Sequence, residues 1–263
     1  MTTIEKVLDH LERNKGVWFS GAELASNLSI SRNAVWRAVN QLREKGYDIQ
    51  AATHKGYCLS EKSDKLSKEG LIPFLEKYDD KSIVNIDDVF VFDSIDSTNK
   101  EALRRITTGA SHGTVITAES QTGGKGHTGH AFASPDGGIY LSVIMLPDKM
   151  KLKDPKKLTS SVAKCIVDTI NTLCKKPAEF SKPNSCILNG KKICGILTEA
   201  GFDVDLGKPL WYITGIGINF NTKSTDFSAE IRDKAGSIFS DDETPVVSRN
   251  EFIAGLLVKI LSL

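Results

Sequence analysis

The chain has 263 residues, 40% of them hydrophobic and 25% charged, with 34 basic against 33 acidic side chains and a formal charge of +1. That is an ordinary globular composition, long enough for one large domain plus one small one; it excludes a disulfide miniprotein, a low-complexity chain and a strongly charged tail. No apolar run approaches the roughly 18 residues of a membrane span, and the opening stretch MTTIEKVLDHLERNKG lacks the apolar core of a signal peptide, so a cytoplasmic protein without membrane contact is expected.

In the first sixty residues Ile4, Val7, Leu8 and Leu11 recur at helical spacing, with Gly16 as a stop. Ser20-Gly-Ala-Glu23 has capping-box spacing ahead of a short helix. The turn Leu28–Ser31 leads into a longer helix from Arg32 to about Lys45, with Ser31 as N-cap. Stepping that helix at about 100° per residue puts Val35, Ala38, Val39 and Leu42 on one face and Asn33, Arg37, Asn40 and part of Trp36 on the other. A short helix, a tight turn and a helix with an apolar back and an Arg/Asn front are helix-turn-helix grammar. The segment 47–59 then reads as two short strands around a turn, the wing of a winged helix. Candidate DNA contacts are Arg32, Asn33, Arg37 and Asn40 on the third helix and Lys55 in the wing. With overall charge near neutral, binding to double-stranded DNA has to come from such a local patch. A small helical domain with a solvated charged face, or one used for protein contacts, is the alternative.

Residues 61–81 are highly charged around one amphipathic stretch, Leu66 to Leu75, which places a linker between a domain over 1–62 and another over 85–263, the linker spanning 63–84. Beyond it, strand signals at 89–92, 114–118 and 138–145 alternate with a helix over about 98–107 and a strong helix over 157–174. The run Cys186–Leu197 carries Asn189-Gly190 between apolar segments, a hairpin with a type I′ turn. A strand over 211–220 and a final helix from about Ser248 complete the chain. With several hairpins and more strands than helices, an α+β fold with a mixed sheet is expected rather than a doubly wound parallel one. The five cysteines Cys58, Cys165, Cys174, Cys186 and Cys194 form no metal-ligand spacing and read as reduced, buried thiols.

Two segments stand out chemically. Gly124-Lys-Gly126-His-Thr-Gly129 is formally a GxGxxG, but it runs into Ser134-Pro135 rather than opening a helix, so the dinucleotide reading fails on context. What remains is a glycine loop after a strand, able to bring backbone N–H groups to an anion, with Lys125, His127 and His130 at hand. The two histidines lack a third ligand nearby, so no metal site is expected. In Ser97-Thr98-Asn99, Thr98 and Glu101 have capping-box spacing, and capping alone would explain it. Hydroxyl and amide groups at a helix start are also suited to reading a polar, uncharged heterocycle.

Taken in order, the winged helix, DSTN (96–99), ESQTGGKGHTGHAFASP (119–135), KPNSCILNGKKICGILTEA (182–200) and GIGINFN (215–221) resemble the biotin protein ligases of the bifunctional, operon-repressing BirA type over nearly the whole chain. The resemblance implies an N-terminal winged helix-turn-helix domain and a mixed-sheet biotin/lipoate-ligase-like domain. It also implies condensation of biotin with ATP (with Mg) to biotinyl-5′-AMP, transfer to a lysine of biotin carboxyl carrier protein, and operator binding by a ligand-bound homodimer. Carried over by position, Ser97, Thr98 and Gln121 would bond the biotin ureido ring. Asn99, Gly124, Gly126, Gly195, Gly215 and Gly217 would line the ligand, and His127, His130, Asn184 and Asn219 would lie near the adenylate. Lys125 and Lys182 would be the catalytic cations.

Three departures from the family pattern accompany the matches. The loop GRGRRGR or GKGRxGR is here GKGHTGH, with His127 and His130 where arginines are expected; a histidine of ordinary pKa is mostly neutral at cytosolic pH and has no bidentate fork. The catalytic-lysine motif KWPND or KWVND is here Phe180-Ser-Lys-Pro-Asn-Ser185. Without a gap Ser181 replaces the lysine; with one deletion Lys182 supplies it, on the opposite strand face unless a bulge intervenes. The chain stops at Leu263, where the family continues into a small SH3-like barrel. The expectation is a biotin-responsive repressor with weak or absent ligase chemistry, the alternative an active ligase that also represses.

Overall fold

The structure is a computed structural model that describes residues 1–126, 132–152 and 154–263. Helices α1 (Thr3–Arg13), α2 (Gly21–Asn27) and α3 (Arg32–Glu44) are followed by the antiparallel strands β1 (Ile49–Ala52) and β2 (Gly56–Leu59). Local chemistry sets the helix starts. Thr2 and Glu5 form a capping box at α1, Ser20 and Glu23 another at α2, and Ser31 Oγ accepts the Ala34 N–H at 3.1 Å to open α3. The apolar faces then meet in one small core built on Val7, Leu11, Leu24, Val35, Val39, Leu42 and Leu59. This is the expected winged helix.

The remaining chain forms a seven-stranded sheet from β3 (Val89–Ile95), β4 (Val115–Gln121), β5 (Ile139–Met145), β6 (Glu179–Ser181), β7 (Ser185–Leu188), β8 (Lys191–Phe202) and β9 (Pro209–Ile218). Its order is β3-β4-β5-β9-β8-β7-β6, with β3 and β4 parallel and every other neighbouring pair antiparallel. The mixed α+β reading therefore holds. Helix α5 (Thr98–Thr107) makes the crossover from β3 to β4 and packs Ala102 on Ile116, Ile144 and Ile213. Alternate residues of the same strands, Val115, Val143 and Tyr212, enter the larger core on the other side with α4 (Lys68–Tyr78), α6 (Pro155–Thr169) and α7 (Arg249–Leu261). The Asn189-Gly190 turn has positive φ at both residues, 51° and 75°, as a type I′ turn requires.

Two segments differ in extent from the sequence reading. The stretch read as a linker contains α4, whose Leu71 and Leu75, together with Leu66, are buried in the large core. Helix α6 starts at Pro155 rather than Lys157, because Asp154 caps it through the N–H groups of Lys156 and Lys157. All five cysteines are free thiols, and no described helix is long and apolar enough to cross a membrane.

Candidate functional site

A cleft of about 210 Å³ opens where β3 gives way to α5, lined by Ser97, Thr98, Asn99, Gln121, Lys125, Gly126, Asn184, Gly195, Gly215 and Gly217 among others. The expected binding residues, distant in sequence, thus come together. Gly124 is buried just behind, its α-carbon against Ser134 and the Phe132 carbonyl. Asn219 lines an adjoining pocket of about 280 Å³ with Phe227, Ile231, Lys234 and Ala235. His127 and His130 lie outside the described residues.

The polar end of the cleft is a linked set of hydrogen bonds. Gln121 Oε1 accepts from the Thr98 N–H at 2.8 Å and from the Thr98 hydroxyl at 3.1 Å, while Gln121 Nε2 donates to Ser134 Oγ at 2.9 Å. Ser142 Oγ lies 2.7 Å from Thr98 Oγ1 and 2.6 Å from Asn99 Oδ1, and Asn99 Nδ2 donates to Glu199 at 2.6 Å. The N-cap of α5 is Ser97, without a side-chain capping bond, and Thr98 is the first helical residue. Capping therefore does not account for the Thr98 hydroxyl; it belongs to the cleft. Asp96 steadies this corner by accepting the Ser97 N–H at 2.8 Å and pairing with Arg104 at 2.7 Å, and the guanidinium pulls its carboxyl down to about 2.

The opposite wall is apolar, and sequence reasoning missed the residue that makes it. The Phe132 ring packs on two strand glycines: a methyl group on Gly217 would come within 2.3 Å of it, and one on Gly195 within 3.0 Å. The signal was available, since glycines inside adjacent strands mark a close approach. Phe132 and Lys192 border both the cleft and the adjoining pocket.

Lys192 was also missed. Its ammonium would lie 3.5 Å from a methyl group on Gly195, so it reaches the cleft wall. Simple alternation puts positions 192 and 195 on opposite faces. A bulge between β7 and β8 reverses this: Ile187 faces Lys192, Cys186 faces Cys194 and Ser185 faces Gly195, leaving Ile193 as the extra residue.

The β6–β7 register carries no bulge. Ser181 pairs with Ser185, Ser185 with Gly195 and Gly195 with Gly217, so one cross-strand row runs from Ser181 to the glycines under Phe132. Lys182 stands in the turn after β6 and lines a neighbouring groove with Pro155, Thr159 and Thr198, not the cleft itself. Asn184 borders both and ties β7 to β8 through Nδ2 to the Ile196 carbonyl at 2.9 Å.

On the winged helix, Arg32, Asn33 and Arg37 are exposed on α3, Asn40 is half-buried, and Trp36 beside them is 57% exposed. Lys55 is exposed in the wing turn, its ammonium 5.7 Å from the centre of the Trp18 ring. Arg43, by contrast, is turned to the wing and donates to the Ile49 carbonyl at 2.7 Å.

Comparison with known proteins places both parts. A profile of HTH domains matches residues 3–58, and the Biotin/lipoate A/B protein ligase family matches residues 91–219. The chain is 35% identical over 239 residues to the bifunctional ligase/repressor BirA of Bacillus spizizenii, covering 90% of this chain and 71% of that protein. It is 28% identical to the BirA of Escherichia coli over 216 residues, 81% of this chain and 63% of the other. Among solved structures, the biotin protein ligase from Aquifex aeolicus in complex with biotin and ATP superposes with a TM-score of 0.56 at 26% identity, over 65% of this chain and 68% of that one.

Proposed function

Because the chain belongs to the family of BirA-type bifunctional ligase/repressors, we propose that it is a biotin-responsive transcriptional repressor. In this reading the sheet domain binds biotin or biotinyl-5′-AMP, the liganded chain forms a two-fold homodimer, and the paired winged helices hold double-stranded operator DNA. The observation that carries it is the division of the cleft. Hydroxyl and amide groups of Ser97, Thr98, Asn99 and Gln121 form one end, suited to a ureido ring, and the Phe132 ring forms an apolar wall suited to a hydrocarbon chain. The adjoining pocket around Asn219 and Phe227 supports an adenosine moiety continuous with that ligand.

Ligase chemistry is weak in this reading, because the row leading under Phe132 offers Ser181 and not a lysine, while Lys182 lines another groove. Joining a carboxylate to an α-phosphate concentrates negative charge, and each fixed donor or cation missing there costs about 10²–10³ in rate. A second reading, an active ATP-dependent ligase that biotinylates a carrier protein and also represses, is favoured by Lys125 and Lys192, which both line the cleft.

Isothermal titration with biotin, with and without Mg-ATP, followed by mass spectrometry of the bound species, separates the two. The repressor reading expects biotin to bind and little adenylate to be recovered. Stoichiometric biotinyl-5′-AMP, lost in Lys192→Ala, would establish the second reading, and an absence of biotin binding would overturn both.

A further inference from the structure

Beyond Ala118, β4 loses its partner on one side. Its pairing with β5 ends at Ala118 opposite Tyr140, whereas its pairing with β3 continues to Gln121 opposite Ile95. The segment 119–121 is therefore a half-supported strand end, and it carries Gln121 into the ligand cleft.

Arg249, in the first turn of α7 and only 7% exposed, fills the gap. Its Nη1 donates to Glu119 at 2.6 Å and to the Gly138 carbonyl at 3.1 Å, joining the separated ends of β4 and β5. The rest of the guanidinium holds the interdomain segment: Nε donates to the Asp64 carboxylate at 2.8 Å and Nη2 to the Asp64 carbonyl at 2.7 Å. The second oxygen of Glu119 accepts the Leu66 N–H at 2.7 Å. Asn250 completes the grip by donating to the Lys65 carbonyl at 2.9 Å and accepting the Ser67 N–H at 3.3 Å.

The same segment is fastened to the winged helix. Lys15 donates to the Ser63 carbonyl at 2.8 Å and pairs with Glu12, while Arg13 forks onto Glu76 of α4 at 2.6 and 2.8 Å. Charge-assisted bonds to a buried guanidinium are strong and geometrically demanding, and removing one partner leaves an uncompensated charge.

Gln121 Oε1 accepts both Thr98 donors, and one Nε2 hydrogen goes to Ser134. A ligand that takes up the second Nε2 hydrogen, or competes with Thr98 for Oε1, pulls on that side chain, and the adjustment falls on the half-supported end whose next alternate residue is Glu119. We propose that Glu119 and Arg249 form the joint through which occupancy of the cleft is passed to the winged helix, with Arg249 as a positioning residue that touches no ligand. This rests on the reading that the cleft binds biotin. Linkage requires the reverse as well: the arrangement of the winged helix feeds back on ligand affinity.

The test is hydrogen–deuterium exchange of peptides covering 60–70 on the full chain, with and without biotin, alongside titration of biotin for the wild type, Glu119→Gln and Asp64→Asn. In the wild type, biotin should slow exchange of the Leu66 and Ser67 amides by about tenfold or more, within the usual range of coupling between sites. Glu119→Gln should keep biotin affinity within about threefold while that response falls below about twofold. Unchanged linker exchange in a wild type that binds biotin would overturn the joint and leave the biotin reading standing. An undiminished response in folded Glu119→Gln or Asp64→Asn would overturn it too. Failure of the wild type to bind biotin would overturn the reading and the joint together; because the wild-type comparison needs no variant, it decides the matter even if a substitution prevents folding.

Discussion

At Ser181 the sheet presents a hydroxyl in the row that runs beneath Phe132, at the position where an ungapped alignment with biotin protein ligases expects the catalytic lysine. The Lys182 ammonium, one residue on, belongs to a different groove. Ser181→Lys should therefore raise adenylate formation by about 10²-fold, the usual worth of one preorganised charge at a developing oxyanion, without tightening biotin itself. Mass-spectrometric recovery of biotinyl-5′-AMP from the two proteins checks this, and equal yields would place the missing charge elsewhere. At the other end of the cleft, Gln121→Ala removes an amide that serves Thr98 and Ser134 at once. Its biotin affinity should fall by about tenfold or more, since a lost bond in a desolvated site costs about 1–3 kcal/mol; titration calorimetry reads the change.

At the scale of elements, α3 combines an apolar back, fixed in the small core, with an exposed front of Arg32, Asn33 and Arg37. The Ser31 cap and the wing hold that front at a set angle, which is what a groove-reading helix needs. Arg37→Ala should weaken binding to a duplex selected from a random-sequence pool by about tenfold at fixed salt, a contact of this kind being worth about 1–3 kcal/mol. Fluorescence anisotropy with the selected duplex measures it, and unchanged affinity would remove Arg37 from the interface. The helix was legible in sequence because its period, cap and stop are local. The bulge that brings Lys192 beside Gly195 was not, because register belongs to a pair of strands and is invisible in either one.

At the scale of the whole molecule, the winged helix and the sheet domain meet across a charged joint. Burial pushes the Glu12 carboxyl up, against the pull of Lys15 and with help from Glu69 and Asp64. Glu69 is likewise raised, mainly by burial, with Glu5 and Asp9 adding to it. A carboxyl raised in the folded state is worse off ionised there than in the unfolded chain. Its cost is absent below the unfolded value of about 4.3, grows as pH rises toward the folded value and is complete above that. The melting temperature of Glu12→Gln relative to the wild type should therefore rise between pH 4 and pH 7, the relief of a buried carboxylate being set against the lost pair with Lys15; thermal melts at the two pH values decide it. The extent of this joint was not legible in sequence. Residues 63–84 read as a charged linker because their composition is polar, yet Leu66, Leu71 and Leu75 complete the large core once α7 is beside them.

The sequence by itself determined the two-part organisation, the winged helix, the mixed sheet and the residues gathered at the cleft. Hydrophobic period, capping pairs and turn dipeptides are local physics, and the motifs 96–99, 119–135, 182–200 and 215–221 are each contiguous. Only the tertiary structure decided which cations face the cleft, that Thr98 serves the cleft rather than a cap, and that Phe132 makes the apolar wall. It also decided that Arg249, 130 residues from Glu119 along the chain, closes the gap between β4 and β5. Each of these depends on strand register or on burial between distant segments, where a one-residue shift reverses a face and a side chain's partners lie far away in the chain.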